Sequence, residues 1–421
     1  MARKNLTIGL FGFGCVGFGL YEVLHKTPGL KTTIKNICVK HPEKARPIAA
    51  ANFTFDKNTI LSDPEINVVV ELIDDSEVAF EIVSEALKNG KAVVSANKKM
   101  IAEHFQELLD LQREYQVPLL YEAACCASIP IIRNLEEYYD TDLLQSIEGI
   151  VNGSTNYILT KTFAENLSYE TALREAQENG YAESDPSLDT QGIDAKYKLL
   201  LLLAHAFGQI VKPQDIFNFG INKLRDLDLQ FAKEKGLKIK LVAQAFKNEN
   251  QSISCFVLPK FVKPGDKLFD IDDVFNGIIT QNNFSDTQFF VGKGAGAFPT
   301  ASAVLSDLSA LTYDYRYEYK KLNQAEILTI NNELVLKVFL SSRETKTQVL
   351  FTYFHKVEES YRSQETGYLV GYISLKKLQQ LIQLVPDASV ILIEAKPGLK
   401  DQNLVTKVEL EPVYVSDSLI V

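Results

Sequence analysis

Hydrophobic positions in the first 121 residues fall into two alternating kinds of segment. Short continuous apolar runs, typical of buried parallel strands, are separated by longer stretches in which apolar residues recur at helical spacing. This alternation predicts an α/β domain at 1–130, with a doubly wound parallel sheet and right-handed crossovers. The strands are predicted at 6–11, 33–39, 67–73, 92–95 and 118–121, and the helices end near 25 or lie at 76–89 and 98–115.

The remainder of the chain does not continue this alternation. An apolar strand at 145–151 and a strongly apolar helix through 199–204 indicate a second, α+β domain at 131–320, with a return of the chain to the first domain near 295–315 left open. After 311 the pattern changes again. Strands at 333–340, 369–374 and 389–395 and helices at 346–358 and 375–384 predict a small C-terminal α+β domain at 321–421.

Composition and charge exclude several classes of protein. The 421 residues carry 44 Lys plus Arg against 54 Asp plus Glu, a net charge of -10, which is the wrong sign for a nucleic-acid partner. The longest apolar run, 197–207, is too short to span a membrane. Five cysteines are an odd number and too few for a disulfide scaffold. We therefore expect no signal peptide, no membrane partner and a reducing, cytoplasmic location.

The first predicted strand runs directly into a glycine-rich turn of the form GxGxxG. A strand, such a turn and a helix form the dinucleotide-binding arrangement of Rossmann-type domains, in which phosphates bind at the helix N-terminus. A tight glycine turn without a ligand is the alternative. The predicted cofactor-binding residues of the turn are Gly12, Phe13, Gly14, Cys15, Val16 and Gly17.

Basic residues follow the second predicted strand, where an NAD-specific domain usually carries an acidic residue. Lys40, Lys44 and Arg46 suit a 2′-phosphate, so that the sequence favours NADP, with NAD as the alternative cofactor. The same charges would also be ordinary for a solvated turn.

Polar side chains after two other strands are candidates for ligand binding. Ser95, Asn97 and Lys98 follow the fourth strand, where ligands of open α/β sheets bind, although Asn97 would also serve as a helix cap. The segment 152–157, which contains Thr155, follows the strand at 145–151. It suits either a ligand or a helix cap.

The strongest catalytic signal is an acid–base pair at the start of the apolar helix. Asp194 and Lys198 are four residues apart and share one helix face. Burial there should desolvate the lysine and lower its pKa toward the range useful for proton transfer. A buried structural pair is the alternative. The loop before this helix carries further carboxylates at Glu183, Asp185 and Asp189.

The five histidines stand in no sequence cluster with acidic residues or cysteines. A zinc site or a Ser-His-Asp triad is therefore not expected. A dehydrogenase built on this chain would use a lysine to carry the proton.

These motifs, in this order, resemble homoserine dehydrogenase over about residues 6–310. The matching segments are 12–17, 95–99, 121–124 with 129–132, 149–157, 180–186, Asp194 with Lys198, 292–296 and 299–304.

The resemblance implies the reversible NAD(P)H-dependent reduction of aspartate 4-semialdehyde to homoserine, on the way to threonine and methionine. It implies that Lys198 donates the proton, that Lys98 lies between cofactor and substrate, and that Gly294 binds the cofactor. It further implies that Glu183, Asp189, Asp194 and Thr155 hold the substrate in a substrate-binding and dimerisation domain, within a homodimer or larger homo-oligomer.

The chain departs from the family pattern at two places near these motifs. The resemblance implies a monovalent-cation site, such as one for sodium, at Glu122, Cys125 and Ala127. Cys126 and Ser128 replace family glycines there, and their Cβ atoms count against the site. Asp74 and Asp75 replace two glycines near the predicted phosphates, which counts against tight NADP binding.

The C-terminal domain occupies the position at which relatives often carry a βαββαβ regulatory domain of the ACT type that binds threonine. A structural or dimerising appendage is the favoured interpretation, because no glycine-containing ligand turn occurs between 341 and 348. For the whole chain, the alternatives are another NAD(P)-dependent enzyme of amino-acid metabolism and a non-enzymatic nucleotide sensor.

Overall fold

The computed structural model describes residues 4–140, 143–323, 328–331, 333–343 and 350–395. The first part of the chain forms a parallel sheet of six strands, and its central strands are buried on both faces, as their continuous apolar runs require. In chain order these strands are β1 Leu6–Phe11, β2 Thr32–Cys38, β3 Phe53–Thr54, β4 Val68–Glu71, β5 Ala92–Ser95 and β6 Leu119–Leu120.

The strand order is β3-β2-β1-β4-β5-β6, which confirms the predicted Rossmann-type doubly wound sheet. Winding reverses between β1 and β4, so that a ligand crevice opens at the carboxyl ends of these strands. The helices of this part are α1 Cys15–His25, α2 Asn58–Leu61, α3 Ser76–Lys88, α4 Lys98–Glu103 and α5 Phe105–Tyr115, with a 3₁₀ turn at Ala50–Asn52.

One helix prediction is wrong in this part. The segment 98–115 is two helices rather than one, because His104 adopts φ -114° and ψ 24° between α4 and α5. The His104 ring stacks on Phe80 of α3 with centroids 3.8 Å apart, a contact that holds the break in place.

The rest of the described chain builds one mixed sheet. Its strands are β7 Leu144–Ile150, β8 Phe217–Asn218, β9 Lys238–Lys247, β10 Ser252–Val262, β11 Phe275–Asn282, β12 Thr287–Lys293, β13 Thr329–Ile330, β14 Val335–Ser342, β15 Lys356–Arg362, β16 Gly367–Ser374 and β17 Ser389–Ala395. The order is β12-β11-β7-β9-β10-β17-β14-β16-β15, with β8 and β13 beside β10. Together with its helices, this mixed sheet makes the second part of the chain α+β, as the sequence predicts.

Helices cover the mixed sheet and connect it to the first one. Helix α12, at Ala297–Leu311, packs on α1 so closely that a Cβ on Gly19 would lie 2.9 Å from the Ala297 carbonyl oxygen. Helix α10, at Ile193–Phe207, is buried along most of its length. These helices are α6 Ile131–Glu137, α7 Gly153–Ala164, α8 Tyr169–Glu178, α9 Ser187–Thr190, α10 Ile193–Phe207, α11 Asp226–Glu234, α12 Ala297–Leu311 and α13 Leu375–Leu384, with 3₁₀ turns at Glu122–Ala124, Pro213–Asp215 and Lys320–Asn323.

The C-terminal strands pair antiparallel in the order β17-β14-β16-β15, the order of a βαββαβ unit. They continue the larger sheet through a single bridge between Lys260 and Leu392. The helix predicted at 346–358 is wrong from 352 onward, because 352–355 form a turn and the segment from 356 pairs with β16 as strand β15. Residues 344–349, where most of the effector turn was sought, lie outside the described residues.

Candidate active site

Two lysines from different parts of the fold meet at one carboxylate. Asp194, in the first turn of α10, lies with Oδ2 2.8 Å from Lys198 Nζ and Oδ1 2.9 Å from Lys98 Nζ. Lys198 also donates to the Val151 carbonyl oxygen over 2.6 Å. Lys98 begins α4 after β5, so the predicted helical pair and a residue of the nucleotide-binding sheet belong to one site.

Burial sets the charges of this site. Asp194 and Lys198 are 5 % and 7 % exposed, whereas Lys98 reaches solvent. Burial alone would raise the pKa of Asp194, but the charges of Lys198 and Lys98 outweigh it and hold that pKa below its ordinary range.

The expected direction of the Lys198 pKa shift is wrong. Burial, the largest single effect, lowers the pKa of Lys198, but the Asp194 carboxylate and, after it, the Cys126 and Cys125 sulfurs together outweigh burial, and the net pKa lies above the ordinary value. Lys198 is therefore an ammonium at neutral pH, ready to donate a proton rather than to accept one.

An asparagine joins two of the predicted substrate carboxylates. Asn152 Nδ2 donates to Asp194 Oδ2 over 2.8 Å and to Asp189 Oδ1 over 2.7 Å. Asn152 Oδ1 accepts from the Thr155 amide and hydroxyl, so that Asn152 caps α7 and Thr155 is oriented by this cap. Burial first, and then the Asp194 charge, raise the pKa of Asp189.

Glu183 lies in the loop between α8 and α9, with an exposed side chain. The loop is tied to its surroundings, because Ser154 Oγ donates to the Tyr181 carbonyl oxygen over 2.5 Å and Gln177 Nε2 donates to the Glu183 carbonyl oxygen. The Asp185 carboxylate accepts hydrogen bonds from the backbone amide and the hydroxyl of Ser187. Both carboxylates are exposed, and within the described residues that of Glu183 has no hydrogen-bond partner.

The glycine turn has the geometry that a dinucleotide requires. Gly12 adopts φ +92°, and a Cβ there would lie 2.4 Å from the Leu72 carbonyl oxygen; a Cβ on Gly17 would lie 2.4 Å from the Gly12 carbonyl oxygen. A Cβ on Gly14 would meet no atom within 4 Å, so space lies open in front of the α1 N-terminus. That first turn contains no acidic residue, and a pyrophosphate fits it. Phe13 packs against the rings of Phe18, Tyr21 and Phe53, while Cys15 and Val16 open the helix beside Gly14.

Ser95 and Asn97 use their side chains within the protein. Ser95 Oγ donates to Glu71 Oε2 over 2.5 Å and accepts from the Asn97 amide, and Asn97 caps α4 through the Met100 amide. Burial raises the pKa of Glu71 to about 7. The alternative prediction for Asn97, a helix cap, describes the contact observed, and this cap positions Lys98.

The basic residues after β2 differ in their contacts. Lys40 is exposed and has no acidic partner among the described residues. Arg46 instead donates to the carbonyl oxygens of His41 and Lys44 and lies 5.1 Å from the Phe53 ring centroid. Lys40 is thus the more available cation for a ligand.

The two aspartates that counted against NADP have different roles. Asp75 caps α3 by accepting from the amides of Glu77 and Val78, so its carboxylate is turned to that helix. Asp74 is exposed.

The loop that carries Gly294 lies beside the nucleotide turn. It leads into the N-terminus of α12, where Ala297 packs against Gly19 of α1. A Cβ on Gly294 would lie 2.1 Å from the Asn276 amide nitrogen, so that this glycine is required by the contact with Asn276. At the start of this loop, the Lys293 carbonyl oxygen accepts a hydrogen bond from Ser128 Oγ.

The predicted cation segment retains left-handed backbone despite its side chains. Cys126 and Ala127 adopt φ 57° and 41°, the region that glycine would favour. Both oxygens of the Glu122 carboxylate accept amides of α6, from Ile132 and Arg133, and burial raises its pKa to about 7. A cation there would therefore depend on main-chain carbonyls such as those of Cys125 and Ala127.

The histidines are not isolated from acidic residues as the sequence suggested. His205 Nδ1 lies 2.5 Å from Glu136 Oε1, and His205 Nε2 lies 2.8 Å from the Tyr121 hydroxyl, in a buried network beside α10. Within the described ranges, no group of three or more His, Cys, Asp or Glu side chains is arranged to hold a metal. Nor does any helix there have the length and apolar composition to cross a membrane.

Sequence reasoning placed Asn152 in a candidate segment without assigning it a role of its own, and it missed Asn276. Asn152 bridges the carboxylates, and Asn276 lies against the Gly294 loop. The position of Asn152, directly after a strand and before a helix, was a usable signal. Asn276 is in mid-strand, and no sequence pattern distinguishes it.

Comparisons with known proteins agree with this geometry. The family model described as homoserine dehydrogenase matches residues 130–309, and the model of the homoserine dehydrogenase NAD binding domain matches residues 12–122. The homoserine dehydrogenase of Helicobacter pylori is 37 % identical over 317 residues, which cover 73 % of each chain.

Solved structures are similar over still more of the chain. That of a homoserine dehydrogenase from Thiobacillus denitrificans has a TM-score of 0.83 at 28 % identity and covers 93 % of this chain and 99 % of its own. A hyperthermophilic archaeal homoserine dehydrogenase in complex with NADPH has a TM-score of 0.64 at 27 % identity and covers 75 % of this chain and 99 % of its own. The chain therefore belongs to the homoserine dehydrogenase family, and it is an NAD(P)-dependent oxidoreductase that interconverts L-aspartate 4-semialdehyde and L-homoserine in threonine and methionine biosynthesis.

Proposed function

We propose that Lys198, Asp194 and Lys98 form the catalytic centre of this reaction. The observation that carries the proposal is the convergence of both ammonium groups on the buried Asp194 carboxylate, between the nucleotide-binding sheet and α10. A structural ion pair would need one cation, whereas two cations on one carboxylate leave positive charge available to a substrate oxygen.

When bound, NAD(P)H would supply the hydride that reduces the aldehyde carbon. Lys198 stabilises the charge that develops on the aldehyde oxygen and donates a proton to it. Asp194 holds Lys198 protonated and oriented, and Lys98 places a second positive charge between cofactor and substrate. In the reverse direction the neutral amine form of Lys198, left after a proton has passed to solvent, receives the proton of the homoserine hydroxyl.

The carboxylates near this centre suit the ammonium group of the substrate. Asp189 lies next to Asp194 through the Asn152 amide, and Glu183 stands on the tethered loop beside α7. We infer that Glu183 and Asp189 bind the α-ammonium, with Asp194 and Thr155 completing the substrate site.

We also infer a preference for NADP over NAD. Its support is Lys40, exposed directly after β2 without an acidic partner among the described residues, where a 2′-phosphate would lie. Asp75 does not oppose this preference, because its carboxylate caps α3. The remaining cofactor contacts are assigned to the turn 12–17, to Ser95, Asn97 and Lys98, and to Gly294, with Arg46 shaping the turn after β2.

For the monovalent cation, the left-handed backbone of Cys126 and Ala127 favours the site, and the commitment of the Glu122 carboxylate to α6 counts against a direct carboxylate ligand.

The assembly proposed for the chain is a homo-oligomer formed at strand β12. This strand ends the mixed sheet in the described residues and presents Val291, 49 % exposed, and the hairpin that leads into it carries Phe284, 83 % exposed. An apolar strand edge of this kind calls for a partner. Size-exclusion chromatography with light scattering tests this assembly, because Val291→Glu should yield monomers.

A reducing location such as the cytoplasm is favoured by five free cysteines.

The test of the catalytic assignment is NADPH oxidation on addition of aspartate 4-semialdehyde. Lys198→Ala should lower the turnover number by about 10³-fold, within the range of general acid catalysis, while NADPH still binds. Lys196→Ala removes a lysine from the same helix outside the site and serves as the control. A wild-type protein that binds NADPH without turning over this semialdehyde would instead support a sensor or a dehydrogenase for another substrate.

A further inference from the structure

One buried side-chain amide near the active site has no hydrogen-bond partner on either of its two polar atoms within the described residues. Asn276, on β11, is 0 % exposed, yet within the described part of the chain neither Oδ1 nor Nδ2 has a hydrogen-bond partner. Leaving buried polar atoms without partners costs about 1–3 kcal/mol each, so native proteins rarely do so without a reason.

Asn276 is buried between the end of the strand that leads to the Lys198 contact and the loop that carries Gly294. Its neighbour Gly277 is paired with Ile150 of β7, and one residue beyond the end of β7 the Val151 carbonyl oxygen holds Lys198 Nζ at 2.6 Å. On its other side the Asn276 amide rests against Gly294, where a Cβ would lie 2.1–2.3 Å from the amide atoms.

A third neighbour confirms this location. The buried Cys126 sulfur lies near both the Lys198 ammonium and the Asn276 amide. The contact between Asn276 and the Cys126 sulfur falls short of a hydrogen bond, so that it leaves both amide atoms available.

We propose that the Asn276 side chain recognises the primary carboxamide of the bound nicotinamide, with Nδ2 donating to the carboxamide oxygen and Oδ1 accepting from its NH₂ group. The proposal rests on the proposed function. In it, Asn276 is a positioning residue that orients the nicotinamide ring for the reaction. The complementarity decides between ligand groups: a substrate aldehyde oxygen would satisfy Nδ2 alone and leave Oδ1 buried without a partner, whereas a carboxamide satisfies both. Such a pair would fix the rotation of the ring that presents the hydride.

A double-mutant cycle between the residue and the cofactor tests this pairing. The probes are NADPH and its reduced 3-acetylpyridine analogue, in which a methyl group replaces the carboxamide NH₂. Dissociation constants are measured on the full chain by the fluorescence of the reduced ring. The wild type should bind NADPH about tenfold more tightly than the analogue, equivalent to about 1.4 kcal/mol, and Asn276→Ala should bind both with equal affinity.

The matched control is Asn282→Ala, on the same strand, where Nδ2 is also buried without a partner but lies at the far end from Gly294. It should leave the tenfold ratio unchanged. Should Asn276→Ala fail to fold, Asn276→Ser replaces it in the cycle.

An equal ratio for wild type and variant, with a lowered melting temperature for the variant, would overturn the proposal and assign the amide to the fold through a bound water. Failure of the catalytic assignment gives a different result. In that case the cofactor cycle shows the expected coupling, but aspartate 4-semialdehyde is not reduced.

Discussion

Lys198 donates to Asp194 Oδ2 over 2.8 Å from one turn further along α10, and this bond decides the protonation state of the lysine. Both groups are buried, and burial alone would favour their neutral forms. The mutual attraction outweighs that effect, so the pKa of Lys198 is raised and that of Asp194 is lowered.

Asp194→Asn should therefore change the pH dependence of the enzyme as well as its rate. Without the Asp194 charge, burial dominates and the pKa of Lys198 falls, so that the proton donor is lost as pH rises. We expect the turnover number for semialdehyde reduction to fall by about 10²-fold or more, with the loss growing toward alkaline pH. Asp194→Glu, which keeps the charge, is the control. Parallel pH profiles for wild type and Asp194→Asn would contradict this account.

Asn152 combines a helix cap with a bridge between carboxylates, and two substitutions separate these roles. Asn152→Ala loses both and should lower kcat/KM by about tenfold or more and stability by about 1 kcal/mol, the usual cost of a lost cap. Asn152→Asp keeps a good capping residue but removes the amide donor next to Asp189 and Asp194. It should restore the helix-cap part of the stability without restoring kcat/KM, as measured by thermal unfolding and initial rates. Full activity in Asn152→Asp would exclude the bridge.

Lys40 should select between the two cofactors. Lys40→Ala removes the cation proposed for the 2′-phosphate and should raise KM for NADPH about tenfold, the value of a charge-assisted hydrogen bond, without changing KM for NADH. Lys57→Ala removes the same charge from a lysine near Glu81 and Glu85 and is the control. A wild type that prefers NADH would refute the assignment. Arg46→Ala should weaken both cofactors equally, because Arg46 holds the turn itself.

A buried carboxyl on α12 should make stability fall with rising pH. Burial raises the pKa of Asp307 to about 8, and Asp307 Oδ1 lies 2.9 Å from Arg133 while Oδ2 accepts from the Glu122 amide. Since its pKa is higher folded than unfolded, the folded state binds more protons between about pH 4 and pH 8, and stability decreases across that window.

Asp307→Asn removes this titration and retains an acceptor and similar volume. The melting temperature of the variant should depend less on pH between about pH 5 and pH 8 than that of the wild type. Asp74→Asn, at an exposed position, controls for the change in net charge. Equal slopes for Asp307→Asn and wild type would show that Asp307 does not carry the dependence.

Much of the nucleotide-binding sheet followed from the sequence alone. Strand β1 and the glycine turn were readable because their patterns are local: a buried strand requires consecutive apolar residues, and Gly17 is required by its contact with Gly12, five residues earlier. The pairing of Asp194 with Lys198 was readable for the same reason, since the spacing of an α-helix places residues four apart on one face.

Tertiary structure decided what this local pair does. Lys98 reaches Asp194 only through the packing of α4 on α10, and Asn152 reaches it from the end of β7. The direction of the Lys198 pKa shift depends on a balance between burial and attraction, which spacing along the chain does not give. The His104 break, the strand at 356–362 and the unsatisfied Asn276 amide were likewise set by contacts between residues distant in sequence, because local patterns determine which elements form and long-range packing determines which side chains meet.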